Sequence, residues 1–243
     1  MAAALDLPKS SLLSLLRALM KGGYIAQHRD LYGLGSSSLR LATTISATQS
    51  YPSSLFPKLR QLAETTNETV SLGEHSEDGK FIHYLESVES SQSLRLSRPK
   101  GSRVPIHASA NGQALLAFMP QELLDNLLSQ PTLEVLTKDT PSKQDLMDKV
   151  EEIRRTGVAR SEGGQESGAM GFGAPVFDAT GELRCAIAAG GPIPRVRDRE
   201  KEFRRLVLEA AEEMSRILGY QGEYPKRHEA EHAAPSAAAQ IKR

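Results

Sequence analysis

The first apolar pattern along the chain predicts a short amphipathic helix. Four leucines recur at the spacing that places side chains on one helical face: Leu12, Leu15, Leu16 and Leu19. Pro8 precedes them and suits a first helical turn, whereas Gly22 and Gly23 end the pattern. The stretch therefore predicts a helix that begins near Pro8 and stops at Gly22.

A second face of this helix is polar. It carries small hydrogen-bonding groups near the start and cations further along: Ser10, Ser14, Arg17 and Lys21. Residues 24–34 follow as two short polar and apolar stretches around Arg29-Asp30, a pattern typical of a β-hairpin with a basic tip. The polar face of the helix has the character of a surface that enters a groove.

Further along, Pro52 separates two predicted helices. Residues 36–50 carry apolar side chains among small polar ones and predict a helix that Pro52 breaks. We place a domain boundary there. The apolar spacing over residues 55–63 then predicts an amphipathic helix that opens the second domain.

The second domain mixes strands and helices. Strands are predicted at residues 69–75, 80–88, 93–97, 103–107, 174–178 and 182–190. Helices are predicted at residues 108–119, 121–128, 143–157 and 198–219. This order favours an α+β domain over residues 53–220. The composition of residues 221–243 predicts a disordered tail.

Composition and charge narrow the class of protein. Of the 243 residues, 39% are hydrophobic, which is enough for a core. Thirty basic residues balance thirty acidic ones, so nucleic-acid binding depends on local charge, and residues 1–40 hold five basic side chains against two acidic ones. A lone cysteine, Cys185, excludes an internal disulfide. Without a leader or a long apolar run, we expect a cytoplasmic protein with no membrane partner.

Four stretches of the chain resemble the IclR-type bacterial transcription regulators. They are LPKSSLLSLLRAL with the GY that follows it, VPIHASANGQALLAF, GAPVFDATGELRCAIAAGGP and a closing helix that ends in LGY. Each pattern is weak alone, but the four together, in this order and spacing, are fairly specific. The resemblance covers about residues 2–220.

The resemblance implies three parts and a tail. A winged helix-turn-helix covers residues 1–35, a linker helix residues 36–52, and a GAF-like mixed α/β effector-binding domain residues 53–220; such proteins work as homodimers or dimers of dimers. Residues 2–7 resemble only the tail of the helix before the recognition helix, so the winged helix-turn-helix is incomplete. We expect either a natural start upstream of Met1 or a loss of autonomous DNA binding.

By this resemblance the partner is a double-stranded DNA operator. A recognition helix places its first side chains against base edges, while basic neighbours hold phosphates. We expect eight contact residues, which are Lys9, Ser10, Ser11, Ser14 and Arg17 in the helix and His28, Arg29 and Tyr32 in the wing. Leu13 stands where the family usually has a polar or basic residue, and we expect it to meet a thymine methyl. The alternative is an ordinary helix with a solvated polar face.

The resemblance also implies a site for a small-molecule effector. Its eight matching residues are Leu96, Val104, Ala110, Asn111, Ser161, Gly171, Ala188 and Gly190. Leu96 and Val104 match an apolar wall. Ala110 and Asn111 match residues whose backbone meets the carboxylate of a ligand at a helix start. The other four differ from the usual family residues. Ala188 and Gly190 stand in place of serines, Ser161 in place of a frequent acidic residue, and Gly171 in place of a polar residue or cysteine.

The strand predicted over residues 183–190 would give the cavity a floor of small side chains. Its period of two places Leu183, Cys185 and Ile187 on one face, so we expect Cys185 to be a small buried hydrophobe. The opposite face, with Ala188 and Gly190, is nearly bare. We therefore expect an organic acid bulkier or more apolar than a two- or three-carbon keto acid, such as an aromatic or lactone-like acid. The alternative is that these small residues pack against a neighbouring helix.

Other chemistry finds no support in the sequence. Residues 163–173 are glycine-rich but lack the context of a nucleotide fingerprint, and we interpret them as a mobile loop over the cavity. His107 and Ser109 have no evident acid to complete a hydrolytic triad, and His228 and His232 have no cysteine beside them. We expect no catalytic residue, no metal site and no cofactor.

Two functions stay open at this point. The first is a DNA-binding transcription regulator, acting as a repressor or an activator, whose effector changes the placement of two DNA readers in an oligomer. The second is an effector-binding and oligomerisation module without autonomous DNA binding. Translation of the nucleotide sequence upstream of Met1 distinguishes them, because an encoded leucine-spaced helix favours the first and a stop codon favours the second.

Overall fold

The computed structural model describes residues 7–28, 31–48 and 51–224 of the chain. Its contacts divide between Ser54 and Leu55 into two compact units. The sequence places this boundary after residue 52. Among the described residues, no helix is both long enough and apolar enough to cross a membrane.

The first unit contains the predicted helix and hairpin. Helix α1 is Lys9–Lys21, strands β1 and β2 are Ile25–His28 and Leu31–Leu34, and helix α2 is Ser36–Thr48. Pro8 stands immediately before α1, and Gly22 follows its last residue. The two strands pair antiparallel, with His28 opposite Leu31. The predicted contact residue Arg29 lies outside the described residues.

The hairpin is fixed to the end of α1 by backbone contacts. Gly35 N–H donates to the carbonyl of Tyr24 at 2.8 Å, and Ser37 N–H donates to the carbonyl of Gly23 at 2.9 Å. A side chain at position 35 would place its Cβ 2.2 Å from the Gly23 oxygen. Glycine is therefore required where the hairpin and α1 approach most closely.

The second unit is built on one antiparallel sheet of six strands. Its strands are β3 (Thr69–His75), β4 (Phe81–Val88), β5 (Arg103–Pro105), β6 (Ala159–Glu162), β7 (Ala169–Phe177) and β8 (Leu183–Pro192). They are ordered β5-β4-β3-β8-β7-β6. Its helices are α3 (Phe56–Thr66), α4 (Ala110–Phe118), α5 (Gln121–Leu128), α6 (Lys143–Thr156), α7 (Ile193–Arg197) and α8 (Glu200–Ile217). This arrangement confirms the α+β class.

Helices cover both faces of the sheet. Helix α4 lies between the sheet and α6, and its residues from Ala110 to Ala117 are all buried. A helix that is buried on every side belongs in such a central position. On the opposite face Phe172 of β7 lies 6.3 Å, ring to ring, from Phe203 of α8. The two faces of β7 therefore pack against different helices.

The predicted period of β8 holds except at its first residue. Cys185 and Ile187 are fully buried, in agreement with the expectation for Cys185. Leu183, however, packs with the cluster beside α4. The register shifts between Val176 and Phe177 where β7 faces this end of β8, and such a bulge turns the next side chain to the other face.

Residues 93–97 and the first residues of the predicted tail differ from the sequence predictions. Residues 93–97 do not form a strand, because distant side chains bind their carbonyls: Arg195 donates to Leu94 O at 2.9 Å and Thr69 to Leu96 O at 2.7 Å. The predicted tail from residue 221 begins too early. Tyr224 still donates from its hydroxyl to the carbonyl of Pro175 at 2.6 Å.

Candidate functional site

A cavity of about 450 Å³, part of which is open to solvent, lies in the second unit. The start of α4, strands β3, β7 and β8, and the loop of residues 163–168 surround it. Seven of the eight predicted effector residues line it: Leu96, Ala110, Asn111, Ser161, Gly171, Ala188 and Gly190. The fold therefore brings together residues that are far apart in the sequence, since Leu96 and Gly190 are separated by 94 positions.

Val104 is the exception, and its assignment to the cavity wall is wrong. It lies on the edge strand β5, where its backbone pairs with that of Ile82. Its side chain packs against the hydrophobic cluster that contains Ile82, Ile106 and Leu115. The pairing of β5 with β4 thus directs Val104 into the core beside α4.

The floor of the cavity is made of small residues. A side chain at position 190 would place its Cβ 2.8 Å from the Met170 oxygen and 3.4 Å from Cδ1 of Leu96. Gly190 therefore allows the close approach of strand β7 and Leu96, and not of a neighbouring helix. Gly171 is less crowded, since a Cβ there would lie 3.2 Å from the Ala189 oxygen and 3.8 Å from the Ala110 Cβ.

The start of α4 presents hydrogen-bond donors to the cavity. Ser109 caps the helix by accepting from Gly112 N–H at 3.1 Å. The first N–H groups of a helix have no partner within it, and those of Ala110 and Asn111 belong to residues that line the cavity. A helix start of this kind favours an anion.

Asn111 carries an unpaired acceptor at the same place. Its Nδ2 donates to Ser71 Oγ at 2.8 Å. Its Oδ1 is buried and has no partner among the described residues. A buried acceptor without a donor is costly, so a ligand that donates a hydrogen bond would satisfy it.

Ser161 is held by the protein itself. Its hydroxyl donates to the carbonyl of Ala108 at 3.0 Å. This bond links β6 to the short turn Ile106–Ala108 that leads into α4. Ser161 therefore presents an oxygen with acceptor capacity, and not a free donor, to the cavity.

Tyr84 and Arg98 are among the polar residues of the cavity wall that sequence reasoning missed. The Tyr84 hydroxyl donates to Gln165 Oε1 at 3.3 Å. Burial raises the pKa of the Tyr84 phenol above its ordinary value of 10.0, so the hydroxyl keeps its proton at neutral pH. The alternation of β4, in which Ile82 and Tyr84 are both buried, is a signal that would have placed Tyr84 inside.

Arg98 brings a cation to the cavity. Its Nη1 lies 3.2 Å from Glu166 Oε2 and donates to the Ser97 carbonyl at 2.8 Å. Arg98 follows the irregular residues 93–97, so no periodic pattern could have found it. With Tyr84 and Arg98, the wall is more polar than the sequence predicted.

The arrangement around His107 does not resemble a catalytic one. His107 is buried and its Nε2 contacts the Glu134 carbonyl at 2.9 Å. Ser109, its predicted neighbour on a strand, instead caps α4, because a turn replaces the strand after Pro105. Among the described residues, no three histidine, cysteine or acidic side chains form a group that could hold a metal ion.

In the first unit, the predicted DNA-contacting side chains lie at the surface. Lys9, Ser10, Ser11, Ser14, Arg17 and His28 are exposed, and Tyr32 is half-buried. Of the predicted leucine stripe of α1, only Leu12 is buried. Leu15 is 48% exposed.

The family model for the C-terminal part of the bacterial transcriptional regulator IclR matches residues 52–216. The chain therefore belongs to the IclR family of bacterial transcriptional regulators. The transcriptional repressor IclR of Escherichia coli K12 is 28% identical over 217 residues, which cover 88% of this chain and 79% of that protein. The regulator KdgR of Dickeya chrysanthemi is 28% identical over 228 residues, which cover 89% and 72%.

Solved structures support the same assignment. The repressor BlcR of Agobacterium tumefaciens has a TM-score of 0.74 at 25% identity, covering 91% of this chain and 88% of that one. An IclR-type regulator of Silicibacter sp. TM1040 shares the fold, with a TM-score of 0.81 at 24% identity over 92% and 88% of the two chains. The relatives are named as regulators and repressors, so the expectation that the chain is not an enzyme is confirmed. The comparisons do not favour a module without DNA binding.

Proposed function

We propose that this chain is a ligand-responsive, DNA-binding transcription regulator whose cavity binds a small organic acid. The observation that carries the proposal is the start of α4, whose residues Ala110 and Asn111 line the cavity together with Arg98. A helix start and a guanidinium both favour a carboxylate. The Asn111 oxygen favours a ligand with a hydroxyl or amine donor as well.

The size of the ligand follows from the cavity floor. Ala188 and Gly171 leave the floor bare near the Ala110 methyl group. An aromatic or lactone-like acid therefore fits the proposal better than glyoxylate or pyruvate, whose few atoms would leave this surface uncovered.

DNA binding is proposed for the first unit, with α1 as the recognition helix and the β1–β2 hairpin as the wing. Ser10 and Ser11 would meet base edges, whereas Lys9 and Arg17 would hold phosphates. All four side chains are exposed. Leu13 is 43% exposed, which leaves it accessible to a thymine methyl. One relative, KdgR, is named as an HTH-type regulator.

We further propose that the protein works as a homodimer or a dimer of dimers. Several large apolar side chains of the first unit are exposed: Leu15, Leu31, Leu34, Leu39 and Leu41. An interface with a second copy would remove these side chains from water. A ligand would act by binding one arrangement of the two DNA readers more tightly than the other.

A thermal-shift panel on the full chain tests the ligand class. Benzoate, phenylacetate, glyoxylate and pyruvate are each compared with the corresponding amide. A ligand that binds only the folded protein raises the midpoint of unfolding, so the aromatic acids should raise it and their amides should not. Stabilisation by glyoxylate or pyruvate in preference to the aromatic acids would contradict the size argument. Stabilisation by the amides alone would contradict the proposal that the ligand is an acid.

A further inference from the structure

The loop of residues 163–168 has one anchored end and one exposed tip. Its first residues are held by hydroxyls, since Thr137 donates to Gly163 O at 2.7 Å and Thr140 to Gly164 O at 2.8 Å. Residues 166–168 are exposed. Gly163 and Gly168 both have positive φ, of 71° and 83°, and glycine takes up such angles without strain.

Two side-chain contacts fasten this tip to the cavity wall. Gln165 Oε1 accepts from the Tyr84 hydroxyl at 3.3 Å. Glu166 Oε2 lies 3.2 Å from Arg98 Nη1. Both partners on the wall line the cavity, so the residues that hold the loop are also those that a bound ligand would meet.

The two side chains of the Arg98–Glu166 ion pair differ in their exposure to solvent. The Arg98 side chain is only 13% exposed, whereas that of Glu166 is 53% exposed. Release of Glu166 into water therefore costs little, because its carboxylate is already half solvated. An unpaired Arg98 is costly, because a cation with so little access to water needs an anion nearby.

We propose that Arg98 is the anion-selecting residue of the cavity and that Glu166 is an internal carboxylate which the ligand displaces from it. The inference rests on the proposed function and assigns the residues that decide the ligand class. A ligand carboxylate takes the place of the Glu166 carboxylate at the guanidinium, so the partly buried cation stays paired throughout. A neutral ligand does not displace the Glu166 carboxylate from the Arg98 guanidinium.

The exchange also ties ligand binding to the loop. When Glu166 leaves Arg98, the side chains of the tip keep the neutral contact between Gln165 and Tyr84, and the backbone keeps the bonds from Ala169 N–H to Glu166 O and from Ile193 N–H to Gly168 O. Gly163 and Gly164 stay anchored to Thr137 and Thr140. The tip of residues 165–167 therefore becomes freer as the acid enters. Glu166 also lowers the apparent affinity for every acid, because the ligand must compete with it.

Calorimetric titration of the full chain with the same acids and amides tests the selection. Glu166→Gln should bind the acids about two- to fivefold more tightly than the wild type, which corresponds to the strength of a partly exposed ion pair. Arg98→Gln should weaken the acids by about tenfold or more, and Arg98→Lys should retain part of the preference for acid over amide. Two matched controls should change neither the affinity for the acids nor the preference for acid over amide. They are Glu77→Gln, at an exposed residue of the β3–β4 turn, and Arg95→Gln, in the same segment as Arg98.

Hydrogen–deuterium exchange on the same variants reports on the loop without any ligand. Peptides that cover residues 163–169 should exchange several-fold faster in Glu166→Gln and Arg98→Gln, and at the wild-type rate in both controls. Acid binding that Glu166→Gln does not tighten, or a loop that neither variant loosens, would overturn the displacement while leaving the proposed function intact. If no acid of the panel binds any variant, both anion selection by Arg98 and the proposed acid ligand are overturned.

Discussion

Asn111 donates from Nδ2 to the Oγ of Ser71 at 2.8 Å, which joins the first turn of α4 to strand β3 across the cavity. The same side chain leaves its Oδ1 unpaired among the described residues. One residue therefore both fixes the position of the helix start and offers an acceptor to a ligand.

Asn111→Asp should separate these two roles. The carboxylate has the same shape, accepts from the Ser71 hydroxyl and is favoured at a helix start. Urea unfolding of the variant without ligand measures what the buried charge costs in stability. The substitution also places a negative charge beside the proposed carboxylate site, and the affinity for benzoate or phenylacetate should fall about tenfold or more. Benzamide binding, measured by the same titration, should be little affected. Equal weakening by Asn126→Asp on the exposed face of α5 would contradict a local effect.

Gly112→Ala should destabilise the second unit. Its Cβ would lie 1.8 Å from the Ile106 oxygen, which forces the turn before α4 to move, and crowding of this kind costs about 1–3 kcal/mol or more. Gly171→Ala is the matched control, because its nearest atom would be 3.2 Å away. Urea unfolding should show a large loss of stability for the first variant and a small one for the second. Equal losses would contradict this account of the α4 start.

The free energy of unfolding should decrease as pH falls from about 7.5 to 5.5, in part because of His107. Desolvation lowers the pKa of His107 from its ordinary value of 6.5. The unfolded chain thus takes up a proton near pH 6.5, whereas the folded chain resists it until a lower pH, and stability is lost across this window. His107→Gln keeps a donor towards the Glu134 carbonyl and should flatten the pH dependence in urea titrations. An unchanged pH dependence in this variant would remove the buried histidine as its cause.

Arg17→Ala should weaken DNA binding on every sequence. Loss of one phosphate contact should make the slope of log K against log salt shallower by about 0.9. Fluorescence anisotropy at several salt concentrations measures both quantities, with Lys201→Ala on α8 as a control that alters neither. Ser10→Ala or Ser11→Ala should instead change the sequence preference. Binding by the wild type that does not depend on salt would contradict phosphate contacts.

Local patterns predicted most of the regular elements. The alternation around Asp78-Gly79 gave β3 and β4, and the spacing over residues 143–157 gave α6 with its end at Gly157, where φ is 76°. These elements depend on interactions between neighbours in sequence, and sequence patterns record such interactions directly.

The rest of the site depends on residues far apart in the chain. Residues 93–97 have the composition of a strand, but side chains from β3 and α7 bind their carbonyls. Arg98 and Glu166 are 68 positions apart, so no local pattern joins them. The residues that the resemblance named on α4, β7 and β8 line one cavity, whereas Arg98 could be placed only by the fold.

The affinity of the full chain for DNA, measured with and without the acid, tests the central claim most directly. The DNA is first selected by the wild-type chain from a random library, and its dissociation constant is then measured by anisotropy with benzoate or phenylacetate at saturating concentration. A regulator whose ligand binds one arrangement of the DNA readers more tightly should show a change of about 5- to 150-fold in that constant. It should also show no change with the matching amide. An acid that binds the cavity but leaves the DNA affinity unaltered would contradict the account.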